Sequence, residues 1–200
     1  MNEGYIRYNC NWEKTKVVVP QSDFEKLEIW RNKLYKKGLI GLYKNGIGFG
    51  NVSCRIDESL KFYITGSVTG KFEFLKPEHI ALVNSFSLKD NSINCIGPTK
   101  ASSESLSHAI IYETLPEINS VIHIHHLGIW EKHINKLPTT AEYAEYGTPE
   151  MAIEIRKLLK DTNNAEQKTI VMAGHKEGII AFGKTLKEVG ELLIKLLESL

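Results

Sequence analysis

Apolar positions recur along this chain with two different periods, and the switches between them mark out its elements. Phe24, Leu27, Trp30 and Leu34 fall three or four residues apart, so residues 22–37 predict an amphipathic helix. Ser22 and Glu25 stand in capping-box spacing at its start and Gly38 closes it, which suits a helix laid on a sheet. The β-rich runs "NGIGFGNVSCRI" and "KFYITG", parted by "DES", predict a glycine-punctuated antiparallel hairpin. A second strand pair is read in "HIALVNSFSL" and "SINCIG" around "KDN", with a helical turn after Pro77 as the alternative start of the first run.

"SSESLSHAIIYETLP" places Leu106, Ala109 and Ile110 on one helical face between serines and a proline stop. "SVIHIHH" follows as a strand, "LGIWEKHINK" as a short helix, and "YGTPEMAIEIRKLLKD" as a helix capped by Thr148 with Pro149 in first position. "KTIVMAG" and "GIIAFG" read as strands around "HKE". The last helix opens on Thr185 and Glu188 as a second capping box and is apolar at Leu186, Val189, Leu192, Leu193, Leu196 and Leu197. Strands paired as hairpins with helices between them favour an α/β domain with a largely antiparallel sheet over a doubly wound parallel one.

Composition narrows the classes. Two hundred residues with 42% hydrophobic content suit a single domain over 1–200. A net charge of +1 gives no broad basic footprint for nucleic acid and no membrane-binding face, while leaving room for a local anion site. Cys10, Cys54 and Cys95 are an odd set with no CxxC, which disfavours a disulfide framework or thiolate zinc and points to a reducing compartment. "MNEGYIRYNCNWEK" lacks a signal-peptide core and no later stretch reads as a membrane span, so a soluble cytoplasmic protein is expected.

Three histidines in four positions, His123, His125 and His126, are the densest chemical feature. With seven histidines in the chain an HxH pair arises by chance about 0.24 times, so the pair alone decides little. On a strand, residues 123 and 125 share a face roughly 6.6 Å apart, close enough for two imidazoles to meet on one ion. His126 points the other way, to the core or a neighbouring subunit. A catalytic zinc takes a third protein ligand, and His175, just past a strand in a glycine-bounded loop, is placed to be it. The competing reading is a set of half-buried, hydrogen-bonded core histidines. Further candidate chemistry lies at "KASSES", where Ser102 and Ser103 precede Glu104 at a helix start that suits either anion binding or ordinary capping. "GFGNVS" offers Asn51 and Ser53 among glycines, and Thr65 and Gly66 end "YITG".

Taken in order, "GFGNVSCR", "YITGSVTG", "ASSES", "VIHIHH" and "GHKEGIIAFGKTLKEV" resemble the class II aldolase/adducin head-domain family over residues 46–190. The resemblance implies a three-layer α/β/α sandwich with a central mainly antiparallel sheet, and commonly a homotetramer. It implies that His123, His125 and His175 bind a divalent metal, zinc first, with Glu104 as the acid/base carboxylate. Asn51, Thr65, Gly66, Ser102 and Ser103 match positions that hold a substrate phosphate, with Gly50 letting the backbone approach. The activity implied is aldolase-type cleavage of a small phosphorylated sugar or related hydroxy-carbonyl compound. Three neutral imidazoles leave a metal its full charge and open positions to stabilise an enediolate while Glu104 moves the proton.

The sequence departs from the family pattern between the HxH strand and "EYGTPE", where aldolases and epimerases carry a longer loop with a catalytic tyrosine or acid. It also ends at Leu200, without the tail that closes some aldolase sites. Tyr143 and Tyr146 read as aromatic packing there. "HKEG" replaces the commoner HG, so Glu177 is an exposed loop carboxylate, a fourth ligand or a supporting partner. His108, one turn after Glu104, is expected to support it; His79 and His133 read as surface positions and Cys54 as small core filler. A dehydratase or epimerase using the same metal and carboxylate, and a non-catalytic adducin-like interaction module, are the alternative functions.

Overall fold

Both hairpins form, and both belong to one eight-stranded sheet in a computed structural model that describes residues 7–16 and 18–200. Val17 and the first six residues of the N-terminal stretch read above lie outside the described residues. The chain opens with strand β1 (Asn9–Lys14) and helix α1 (Gln21–Lys36), then a small ribbon of β2 (Gly41–Leu42) and β3 (Gly48–Phe49). The first hairpin is β4 (Asn51–Arg55) with β5 (Phe62–Thr65); the second is β6 (Ile80–Ser87), entered through a 3₁₀ turn at Pro77–His79, with β7 (Ser92–Gly97). Helix α2 (Ser105–Thr114), strand β8 (Ser120–His125), and helices α3 (Leu127–His133), α4 (Pro149–Leu159) and α5 (Thr162–Glu166) follow. Strands β9 (Thr169–Val171) and β10 (Gly178–Gly183) and helix α6 (Leu186–Glu198) complete the described chain.

The sheet runs β1-β7-β6-β5-β4-β8-β10-β9, antiparallel at every junction except β1 with β7. One face carries α2 and α4 through Leu106, Ala109, Ile110, Met151, Ala152 and Ile155. The other carries α1 and α6 through Leu27, Trp30, Leu34, Val189 and Leu193. Helices on both faces make the expected three layers.

Local capping departs from expectation at three places. Helix α1 begins at Gln21, with Pro20 in the cap position and its carbonyl accepting from Phe24, so Ser22 lies inside the first turn and does not cap. Thr185 does accept from the Glu188 N–H, but the Glu188 carboxylate accepts from Lys184 and from Lys168. His126 neither enters the core nor extends β8: its ring accepts from the Ile129 N–H and caps α3. The run "NGIGFGNVSCRI" is broken at Gly50, whose φ of +75° and approach to Ile40 and the His123 carbonyl exclude a side chain.

A buried charge holds the loop after β5. Arg31, 1% exposed, donates to the carbonyls of Glu73 (2.8 Å), Thr69 (3.2 Å) and Gly70 (3.3 Å). Burial lowers its pKa, and nearby Glu28 opposes that. The loop is pressed against the β2–β3 ribbon so closely that a Cβ on Gly70 would sit 2.2 Å from the Gly41 carbonyl oxygen. Replacing Arg31 with methionine takes the donor from the Gly70 carbonyl, while Asn32 still donates to Glu73 and the Phe72 N–H to Thr69, and is expected to cost about 2 kcal/mol in urea unfolding. A loss below about 1 kcal/mol would show that water takes over the role.

Candidate functional site

Strand β8 sits between β4 and β10, where Asn51 pairs with His123 and Gly178 with His125. Strand alternation sends Ile122 and Ile124 to the α1/α6 core and Val121 to the α2/α4 core, so His123 and His125 face the α2 side together. Their Nε2 atoms come within 2.9 Å of each other. His175 reaches them from the turn between β9 and β10, which is closed by its N–H on the Met172 carbonyl and its carbonyl on the Gly178 N–H. Its ring centroid lies 5.1 Å from that of His123 and 4.5 Å from that of His125. One ligand atom from each of the three falls within 4.8 Å of the others, and all three residues are buried.

Proton bookkeeping decides what this cluster suits. His123 Nδ1 faces the Ile179 carbonyl at 3.1 Å; a carbonyl only accepts, so Nδ1 carries the hydrogen and Nε2 a lone pair. Tyr43 donates its hydroxyl hydrogen to Glu177 Oε2 (2.7 Å), so the contact of Tyr43 with His125 Nδ1 (2.8 Å) must be donation by the ring. His125 Nε2 is then also a lone pair. Burial pushes His123 down to about 4 and holds His125 and His175 well below the ordinary histidine range, with His175 and His123 adding to the effect on His125. Neutral imidazoles with converging lone pairs lack a positive centre between them. A divalent ion takes three such donors, whereas a proton bridges two, so these residues fit a metal.

Glu104 stands in the N-cap position of α2 beside the cluster, with its side chain making no capping bond. It is 2% exposed, its Oε1 lies 3.8 Å from His175 Nδ1, and Ser107 donates to its Oε2 at 2.9 Å. The Ser102 segment is tied down by the Tyr8 hydroxyl, which reaches the Ala101 and Ser102 carbonyls, and by Ser105, which donates to the Ser102 carbonyl. A cleft of about 490 Å³, open mouth included, brings Gly50, Asn51, Gly66, Ser102 and Ser103 together with Glu104 and the three histidines. Asn51 Oδ1 is buried there with no hydrogen-bond partner among the described residues. Thr65 is the exception: its hydroxyl accepts from the Val52 N–H beneath the cleft, and it does not line it.

Several neighbours were not assigned from sequence, or were assigned differently. Tyr146, read as packing, does pack, with its ring stacked 4.8 Å from His175 and under the Arg7 guanidinium, and it also lines the cleft. Tyr143 is 68% exposed and donates to Glu154. His108 is held by strand β4. Its Nδ1 bonds Ser53 Oγ at 2.7 Å, and Ser53 also bonds the Tyr112 hydroxyl. His79 stacks on Phe72 and its Nδ1 accepts from the Lys76 N–H, so it is a half-buried cap rather than a plain surface group. Tyr43 carried no signal in its local sequence, since its partners His125 and Glu177 are 82 and 134 residues away.

The described helices include none long and apolar enough to cross a membrane. Among solved structures, an L-fuculose 1-phosphate aldolase is similar at 21% identity, with 92% of this chain and 85% of that one covered and a TM-score of 0.66. YgbL from Escherichia coli matches at 17% identity, 89% and 86% coverage and a TM-score of 0.66. A sugar-phosphate aldolase from Thermotoga maritima matches at 16% identity, 89% and 94% coverage and a TM-score of 0.59. These likenesses establish the shared fold. Residues 33–200 match the family described as the Class II Aldolase and Adducin N-terminal domain, and the chain belongs to that family.

Proposed function

We propose that this protein is a zinc-dependent aldehyde-lyase that cleaves a small phosphorylated ketose or a related hydroxy-carbonyl compound. The observation that carries the reading is the convergence of three neutral, buried imidazoles beside a buried carboxylate at the head of one cleft. Zinc held by His123, His125 and His175 supplies Lewis acidity toward the substrate carbonyl. The chain's own groups account for the rest. In cleavage, the hydroxyl on the carbon leaving as aldehyde gives up its proton to the Glu104 carboxylate, the C–C electron pair moves toward the carbonyl, and the carbon left behind takes a proton back from Glu104. Glu104, held by Ser107, is the group that handles the proton on carbon.

The hydroxyls of Ser102 and Ser103, the Asn51 amide and the backbone at Gly50 and Gly66 suit the phosphate end, and Thr65 steadies the Gly66 turn from below. Neutral donors fix an anion without cancelling the charge that the metal provides, so the remote end orients the reacting carbons. A pure interaction module has no use for a buried acid and three buried imidazoles, which favours the enzyme. Purified protein is expected to contain about one zinc per chain, lost in His123→Ala. With ketose phosphates it is expected to release two carbonyl fragments. Water loss or epimer formation in place of cleavage would assign the dehydratase or epimerase chemistry instead.

A further inference from the structure

The loop carrying His175 and the strand carrying His125 are joined through two residues outside the ligand set. Glu177, two positions after His175, accepts the Tyr43 hydroxyl, and Tyr43 in turn meets His125 Nδ1. The Glu177 backbone stands at φ +70°, a left-handed conformation that a glutamate adopts only where its surroundings require it, and its carbonyl accepts the His126 N–H at the end of β8. Tyr43 is fixed by the turn that closes its N–H on the Ile47 carbonyl. Its ring lies 4.5 Å from Phe49, which is itself 5.6 Å from the His125 ring. The site therefore has a built second layer on its Tyr43 side.

We infer that Tyr43 and Glu177 are positioning residues that fix His125 in the Nδ1–H tautomer, so that Nε2 presents a lone pair to the metal. The inference rests on the metal-site reading above. Its logic is one of hydrogen count. Glu177 takes the only hydrogen of Tyr43, which leaves the phenol oxygen able only to accept from His125. Without Glu177, the Tyr43 hydrogen is free to point at His125 Nδ1, which moves the ring hydrogen to Nε2 and blocks the ligating atom. Partners that orient a ligating histidine in this way typically change metal affinity about 10–100-fold.

The test uses the full chain and zinc alone. Long-range ¹H–¹⁵N NMR of the metal-free protein reports the His125 tautomer, and competition with a chromophoric chelator reports zinc affinity. The wild type is expected to show Nδ1–H at His125. Glu177→Ala is expected to shift the ring toward Nε2–H, Tyr43→Phe to give a mixture, and both to bind zinc about 10–100-fold more weakly. Urea midpoints of the metal-free variants identify any that has simply lost its fold. Wild-type zinc affinity with an unchanged tautomer in both folded variants would overturn the inference and leave the metal site standing. A folded wild type that binds no zinc would overturn both.

Discussion

Glu104→Gln is expected to lower turnover by at least about 100-fold while leaving zinc content unchanged. Glutamine keeps the shape of the side chain and an oxygen for the Ser107 hydroxyl, so the start of α2 and the Ser102 segment should stay in place. What is lost is the ability to take and return a proton. The measurement that isolates this step is exchange of the carbon-bound hydrogen of the ketone phosphate product with D₂O, followed by proton NMR. Wild-type protein should exchange it without a second substrate; Glu104→Gln should not. Exchange within a few-fold of wild type in the variant would remove Glu104 from the chemistry and leave it a structural partner of Ser107.

The metal-free protein is expected to be unusually sensitive to mild acid. His108, His123, His125 and His175 are 0%, 1%, 4% and 5% exposed, and burial depresses the pKa of each below the ordinary value of 6.5. The native state therefore holds fewer protons than the unfolded chain at any pH between the two values. Stability is fully present above the unfolded pKa and falls as pH drops below it, down to the folded values, which for His123 is about 4. Each such histidine contributes a slope approaching roughly 1.4 kcal/mol per pH unit. Four of them acting together remove a large share of an ordinary domain's stability over one or two units. Urea midpoints measured from pH 7 to pH 5 should fall steeply, and zinc should raise the pH 7 midpoint because it binds the folded cluster in preference to the unfolded chain, a gain that shrinks toward pH 5 as protons compete for the same nitrogens. A flat profile across that range would contradict the burial of neutral imidazoles.

Elements with a strong period or a cap could be read directly. The strand period that put His123 and His125 on one face is local geometry, as is the Thr148 cap that accepts from Met151. The glycine-bounded turn likewise presented His175 correctly. Strand β1 gives no such signal: "NCNWEK" has mostly polar outer positions, and its ladder partner among the described residues is β7, more than eighty residues away. The capping box at Ser22 does not form because Pro20 fixes the approach two residues earlier and supplies the first carbonyl. His108 was assigned to Glu104 by helical spacing, yet a fully buried ring goes to the strongest partner the packed sheet brings to it, here Ser53 on β4.

By itself the sequence determined most of the element types, because periodicity, caps and turns are set by residues within a few positions of one another, and its ordered motifs singled out His123, His125 and His175, which the structure brings into one cluster, as candidate ligands beside Glu104. Only the tertiary structure decided which nitrogen His123 and His125 present, that Tyr43 and Glu177 stand behind His125, that Tyr146 walls the cleft and that Thr65 does not. Those outcomes depend on hydrogen bonds and ring contacts between segments far apart in the chain, whose partners exist only once the sheet has assembled and excluded water.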